Sequence, residues 1–197
     1  AAGGAEGKSY QERLGAFKTT LKKKGPAPQE FEKEAVPQGI REVTYPSGDL
    51  KLKAWVSVPQ GANEKTPGLV YFHGGFAFGA ADMADCKAFQ DAGFVVMYPM
   101  LRGENGNPGE FELFLAEVND AKAAVVWLSQ QAFVNKERLH TFGHSYGGAI
   151  SALLSLHKDA PIVHGGSAGG LYAKDFFDLN RAIVPFDMTI PAERDFR

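Results

Sequence analysis

The chain has 197 residues, 44% of them hydrophobic and 12% aromatic, which suits one globular domain with its own core. Its net charge of −2 and its single basic cluster, Lys22-Lys23-Lys24, with no interleaved aromatics, argue against nucleic acid as a partner. A single cysteine, Cys86, excludes an internal disulfide and a thiolate metal cage, and no apolar run of about 18 residues offers a transmembrane helix.

Residues 1–7 are small and polar and read as a frayed terminus. Alanine at position 1 leaves two origins open: a removed signal peptide, implying a secreted or periplasmic protein, or a trimmed end, compatible with the cytoplasm. Ser9 to Lys24 predicts a helix stopped by Gly25-Pro26, and the stretch to Gln38 reads as a Pro-containing linker, so 1–38 stands apart from a domain over 39–197. Arg41 to Tyr45 and Leu50 to Val58 predict an antiparallel hairpin turned at Pro46-Ser47-Gly48-Asp49. From Gly68 onward, apolar runs of strand length alternate with helical segments. These are Leu69 to Phe72, a helix near Ala81 to Ala92, Phe94 to Tyr98, a helix from Phe111 to Gln130, Leu139 to Phe142, a helix from Tyr146 to His157, and Pro161 to His164. Continuous apolar strands between helices indicate an α/β fold: a mostly parallel sheet covered by helices on both faces.

Gly143-His144-Ser145-Tyr146-Gly147 is G-x-S-x-G between a predicted strand and a predicted helix. A sharp turn there exposes a serine oxygen at the top of a sheet, and the flanking glycines admit the close approach of strand and helix. Ser145 is therefore the candidate catalytic nucleophile. A second match, Gly165-Gly166-Ser167-Ala168-Gly169, is followed by a more polar segment and suits a flexible loop. His73-Gly74-Gly75-Phe76 directly follows a strand, where backbone N–H groups can face a tetrahedral oxyanion. The candidate donors are Gly75 or Phe76 and Tyr146, the residue after the nucleophile. His73 reads as a brace for that loop. No metal or cofactor is expected. His140-x-x-x-His144 mimics ligand spacing, but on a strand and turn its rings would not converge, and the glycine-rich turns lack P-loop and dinucleotide-binding patterns.

Four features in order carry a resemblance: His73-Gly74-Gly75, Arg102-Gly103-Glu104-Asn105-Gly106, Asp120-Ala121, and Phe133-Val134-Asn135-Lys136-Glu137-Arg138-Leu139 leading into Gly143-His144-Ser145-Tyr146-Gly147-Gly148. From about Arg41 to Ile162 the chain resembles the catalytic domain of the prolyl-oligopeptidase-like branch of the α/β-hydrolases, which includes dienelactone-hydrolase-like esterases. The resemblance implies a serine hydrolase acting on a small ester or peptide substrate. In it, Arg102 and Glu104 either line the substrate cleft or belong to an ordinary turn.

The serine needs a histidine base and an orienting acid, which follow it in this fold. Only His157 and His164 lie beyond Ser145. His157 is too far along the predicted helix, and His164 ends the next predicted strand, ahead of the expected acid. Asp175, Asp178 and Asp187 are candidate acids or solvated aspartates, and no histidine follows them. The fold is thus expected to be truncated after its sixth strand, with three explanations. The chain is a fragment or ordered part of a longer enzyme, one piece of a two-chain assembly that completes the sheet, or a degenerate hydrolase kept for binding.

Overall fold

The protein is described by a computed structural model over residues 24–172, together with Ser9, Glu12 and Arg13. Ser9 and Glu12 cap one another reciprocally, Ser9 N–H to Glu12 Oε2 at 2.7 Å and Glu12 N–H to Ser9 Oγ at 3.2 Å, as at a helix start. The remainder of the helix expected over 9–24 lies outside the described residues, as do Asp175, Asp178 and Asp187.

The apolar runs form six strands of one sheet: β1 (Ile40–Ser47), β2 (Leu50–Ser57), β3 (Gly68–Phe72), β4 (Val95–Pro99), β5 (Leu139–His144) and β6 (His164–Ala168), in spatial order β1-β2-β4-β3-β5-β6. β1, β2 and β4 pair antiparallel, and β4, β3, β5 and β6 run parallel. Every residue of β3 and β4 is buried, because both faces are covered. Val70, Phe72, Val95 and Met97 point to one face, beneath α2 (Ala116–Ser129) and α3 (Tyr146–Leu154). Leu69, Tyr71, Val96 and Tyr98 point to the other, beneath a 3-10 turn (Ala80–Cys86) that leads into α1 (Lys87–Asp91).

Several boundaries differ from the sequence reading, and the helix expected from Tyr146 to His157 ends at Leu154. β1 continues through Pro46, which pairs with Lys51, and the hairpin turns on Gly48-Asp49 alone. An edge strand tolerates proline, and Gly48 at φ +56° suits the first position of a two-residue turn. The helix expected from Phe111 begins only at Ala116, since Leu113 (φ 52°) and Phe114 (φ 70°) are left-handed and break a right-handed helix. The segment from Lys87 to Asp91 is α-helical, but the turn before it is 3-10. The sixth strand starts at His164 instead of ending there, so the second G-x-S-x-G is a strand whose Ser167 pairs with Gly143, not a loop.

The presumed linker is stitched to the loops at the C-terminal ends of the strands. Ala27 N–H donates to Gly103 O (3.0 Å), Phe111 N–H to Gly25 O (2.9 Å) and Ala80 N–H to Glu34 Oε2 (2.9 Å). Arg102 grips Asp120 of α2 with two parallel bonds, Nε to Oδ2 and Nη2 to Oδ1, each 2.8 Å. Asp120 is fully buried and also accepts the Arg102 N–H (3.1 Å) and the Ser47 hydroxyl. One carboxylate therefore joins the hairpin, the loop after β4 and α2. Asp120→Ala would strand the guanidinium in a mostly covered site. The expected loss is about 3 kcal/mol, toward the low end for a buried pair because Arg102 keeps some solvent contact, seen as a lower urea midpoint.

Candidate active site

Ser145 sits between the last residue of β5 and the first of α3, at φ 52° and ψ −116°. A non-glycine residue there costs about 1–3 kcal/mol and persists only where its surroundings enforce it. The enforcement is steric and polar. A β-carbon on Gly143 would lie 2.0 Å from the Gly147 carbonyl oxygen, and one on Gly147 would lie 2.0 Å from that of Phe72. The Gly147 N–H donates to His73 O (3.0 Å) and the Ser145 N–H to Ala168 O (2.9 Å), tying the turn to the loop after β3 and to the end of β6.

The loop His73-Gly74-Gly75-Phe76 lies against this elbow. A β-carbon on Gly74 would sit 3.5 Å from that of Ser145. Gly75 adopts φ +69°, a conformation glycine takes without strain. Among the described residues, no hydrogen bond engages the N–H of Gly75 or of Tyr146, whereas the Phe76 N–H is bonded to Gln29 Oε1 at 2.8 Å. Phe76 also packs edge-on against Tyr146 and Phe111, with ring centroids 5.1 Å apart in each case. Gln29 lies in the presumed linker, and nothing in that segment's composition signals its reach to the loop.

His73 is buried and braces the loop. Its Nδ1 meets Gly74 O at 2.9 Å and its Nε2 meets Glu104 Oε2 at 3.2 Å. Burial lowers the His73 pKa, but the Glu104 carboxylate more than offsets this and leaves it raised. Glu104 has no exposed surface, and its Oε2 also accepts the Leu101 N–H at 2.7 Å. Arg102 and Glu104 thus hold loops in place. The cleft-lining role that the resemblance offered them does not fit side chains turned inward to Asp120 and His73.

The other histidines are placed by the strands and helix ends that carry them. His140 and His164 are register partners on β5 and β6 with stacked rings 5.4 Å apart, near the end of β5 opposite Ser145. His164 therefore begins its strand at the wrong end of the sheet to act as base. His157 follows the end of α3. His144 directly precedes Ser145, with its ring between Gly74 and Gly169.

The family whose pattern matches residues 28–163 is described as X-Pro dipeptidyl-peptidase (S15 family). The uncharacterised peptidase YtmA of Bacillus subtilis is 29% identical over 130 residues, covering 66% of this chain and 50% of that protein. The Pyrococcus furiosus esterase PF2001 has a similar structure, with a TM-score of 0.60 at 19% identity over 75% of this chain and 56% of that one. A bacterial heroin esterase is 26% identical with a TM-score of 0.51, over 66% of this chain and 44% of that one. The fold is that of the α/β-hydrolases, the clan in which the sequence resemblance and the matching family meet. The chain spans about half the length of the relatives it matches.

Beneath the elbow lies a buried polar layer that sequence reading missed. Glu117, in the first turn of α2, is fully buried. Its Oε1 accepts the Glu112 N–H at 2.6 Å, and its Oε2 has no partner among the described residues. The buried hydroxyl of Tyr146 is likewise unpartnered. Burial, aided by the neighbouring acids Asp120 and Glu112, pushes the Glu117 carboxyl from its ordinary 4.5 to about 8 against two backbone hydrogen bonds. The folded state then holds a proton that the unfolded state has lost. The Glu117 contribution to stability is full below pH 4.5 and is lost as pH rises towards 8, by up to about 1.4 kcal/mol per pH unit. Glu117→Gln keeps the acceptor without a titrating group. It is expected to flatten that decline, measured as urea midpoints between pH 5 and 8.

Proposed function

The chain belongs to the X-Pro dipeptidyl-peptidase (S15) family, and from that footing we propose that the protein hydrolyses an ester or peptide bond by acyl transfer through Ser145. The observation that carries the reading is the elbow. A serine is held in a left-handed backbone between two glycines that admit no β-carbon, beside a loop with an N–H unengaged among the described residues. In this mechanism Ser145 Oγ attacks the substrate carbonyl carbon and loses its proton to a base. The N–H groups of Tyr146 and of Gly75 or Phe76 receive the negative charge that develops on the oxygen. The acyl group passes to serine as the leaving group takes the proton, and water then releases it. We place the histidine base, and with it the acid, in sequence beyond Arg197. His140 and His164 pair at the far end of β5, His157 follows α3, and the matched stretch covers only about half of each relative's length.

A small ester or peptide is the substrate class this reading favours, in a stand-alone esterase-like enzyme or a small peptidase. Among the described residues β6 pairs only with β5, and we place the completing part of the sheet along its open side. A different class of function, binding on a hydrolase scaffold without catalysis, draws on the lack of a histidine positioned for Ser145 in the described residues. The two separate cleanly in the full-length protein. A fluorophosphonate probe is expected to label it, and Ser145→Ala to abolish labelling with the thermal midpoint little changed. Absence of labelling would leave the binding reading.

A further inference from the structure

We propose that Gln29 governs access to one donor of the oxyanion site: its side-chain carbonyl caps the Phe76 N–H, and the substrate oxygen displaces it to reach that donor. The inference rests on the hydrolase reading above and adds to it a residue that sets the rate.

The Gln29 Oε1 lies 2.8 Å from the Phe76 nitrogen. It also fills the space in front of the loop, since a β-carbon on Gly75 would meet it at 2.6 Å. The same loop faces the nucleophile through Gly74. An amide oxygen on this N–H is chemically what a substrate carbonyl oxygen would be there, a neutral acceptor on a donor meant for a developing charge. It is an intramolecular competitor for one donor of the site. Gly75 and Tyr146 keep their N–H groups unengaged among the described residues, so the cap covers part of the site and leaves part of it ready.

The cap can move while its support stays. Gln29 is solvent-exposed. The strap that carries it is fixed independently on either side, by Ala27 to Gly103 and Gly25 to Phe111 before it and by Glu34 to Ala80 after it. Swinging the carboxamide aside therefore breaks one neutral hydrogen bond and leaves the strap seated.

The test is the second-order rate of Ser145 phosphonylation by a fluorophosphonate probe in the full-length protein, with amide exchange at Phe76 followed in parallel. Gln29→Ala is expected to raise the rate roughly 2- to 10-fold, the worth of one neutral hydrogen bond, and to speed exchange at Phe76. Gln29→Glu is expected to lower the rate, because a carboxylate holds the N–H more tightly and repels the oxyanion. A Gln29→Ala rate equal to or below wild type, or unchanged exchange at Phe76, overturns the cap. The hydrolase reading stands in either case if labelling still depends on Ser145. If nothing labels through Ser145, both fall. A purely structural Gln29 would slow the reaction in both variants, which also separates the ideas.

Discussion

The carbonyl oxygen of Phe72, at the end of β3, comes within 2.0 Å of where a β-carbon on Gly147 would be, and the Gly147 oxygen stands in the same relation to Gly143. This double close approach is the constraint on which the site depends. It lets the first turn of α3 press against the ends of two neighbouring strands. The connecting residue, Ser145, then has to turn through a left-handed backbone, which lifts its side chain away from both. Larger residues at either glycine would push α3 off the sheet, and with it the Tyr146 N–H that the proposed chemistry uses.

Around this point the loops are held by polar groups taken out of water. The loops after β3 and β4 are joined by His73 to Glu104, and by Asn105, which accepts the Phe78 N–H and donates to the Phe78 carbonyl, both at 2.8 Å. Asn107 ties the second of these loops to β2 and to the end of β4 through Lys53 and Met100. Such groups contribute modestly as pairs but heavily when one partner is lost. They fix the oxyanion loop from behind, and the strap over 24–39 fixes it from in front. A site made of backbone N–H groups needs such bracing, since its donors have no side-chain freedom with which to correct an error.

The elbow was legible in the sequence because sterics dictate its residue types: only glycine fits at 143 and 147, and the apolar runs on either side define strand and helix. The parallel sheet was legible from the same runs. Other features were settled by tertiary contacts that leave no local mark. Leu113 and Phe114 look helical, yet they turn left-handed to place Phe114 and Phe111 around Tyr146. Residues 165–169, rich in glycine, look like a loop. Residues 164–168 form a strand by pairing with β5, and the chain leaving α3 passes so close that a β-carbon on Gly165 would meet Ser155 Oγ at 2.3 Å. Glu117 sits one residue before Val118 of an apolar stripe and is buried although charged types are normally exposed. Gln29 gave no signal, since an exposed polar residue in a Pro-containing stretch looks the same whether or not it reaches a functional loop.

The hairpin gives the sheet a direction of growth. β1 closes one side with a proline at position 46, a residue that offers no N–H, and with Arg41 and Glu42 exposed along its length, so that side resists further pairing. The opposite side, β6, presents glycines and small residues after His164. Among the described residues, the sheet is open to an additional strand along β6 and closed to one along β1. The flank along β6 also lies next to the strand that ends in Ser145, so whatever joins the sheet there comes up beside the elbow and not beside the hairpin.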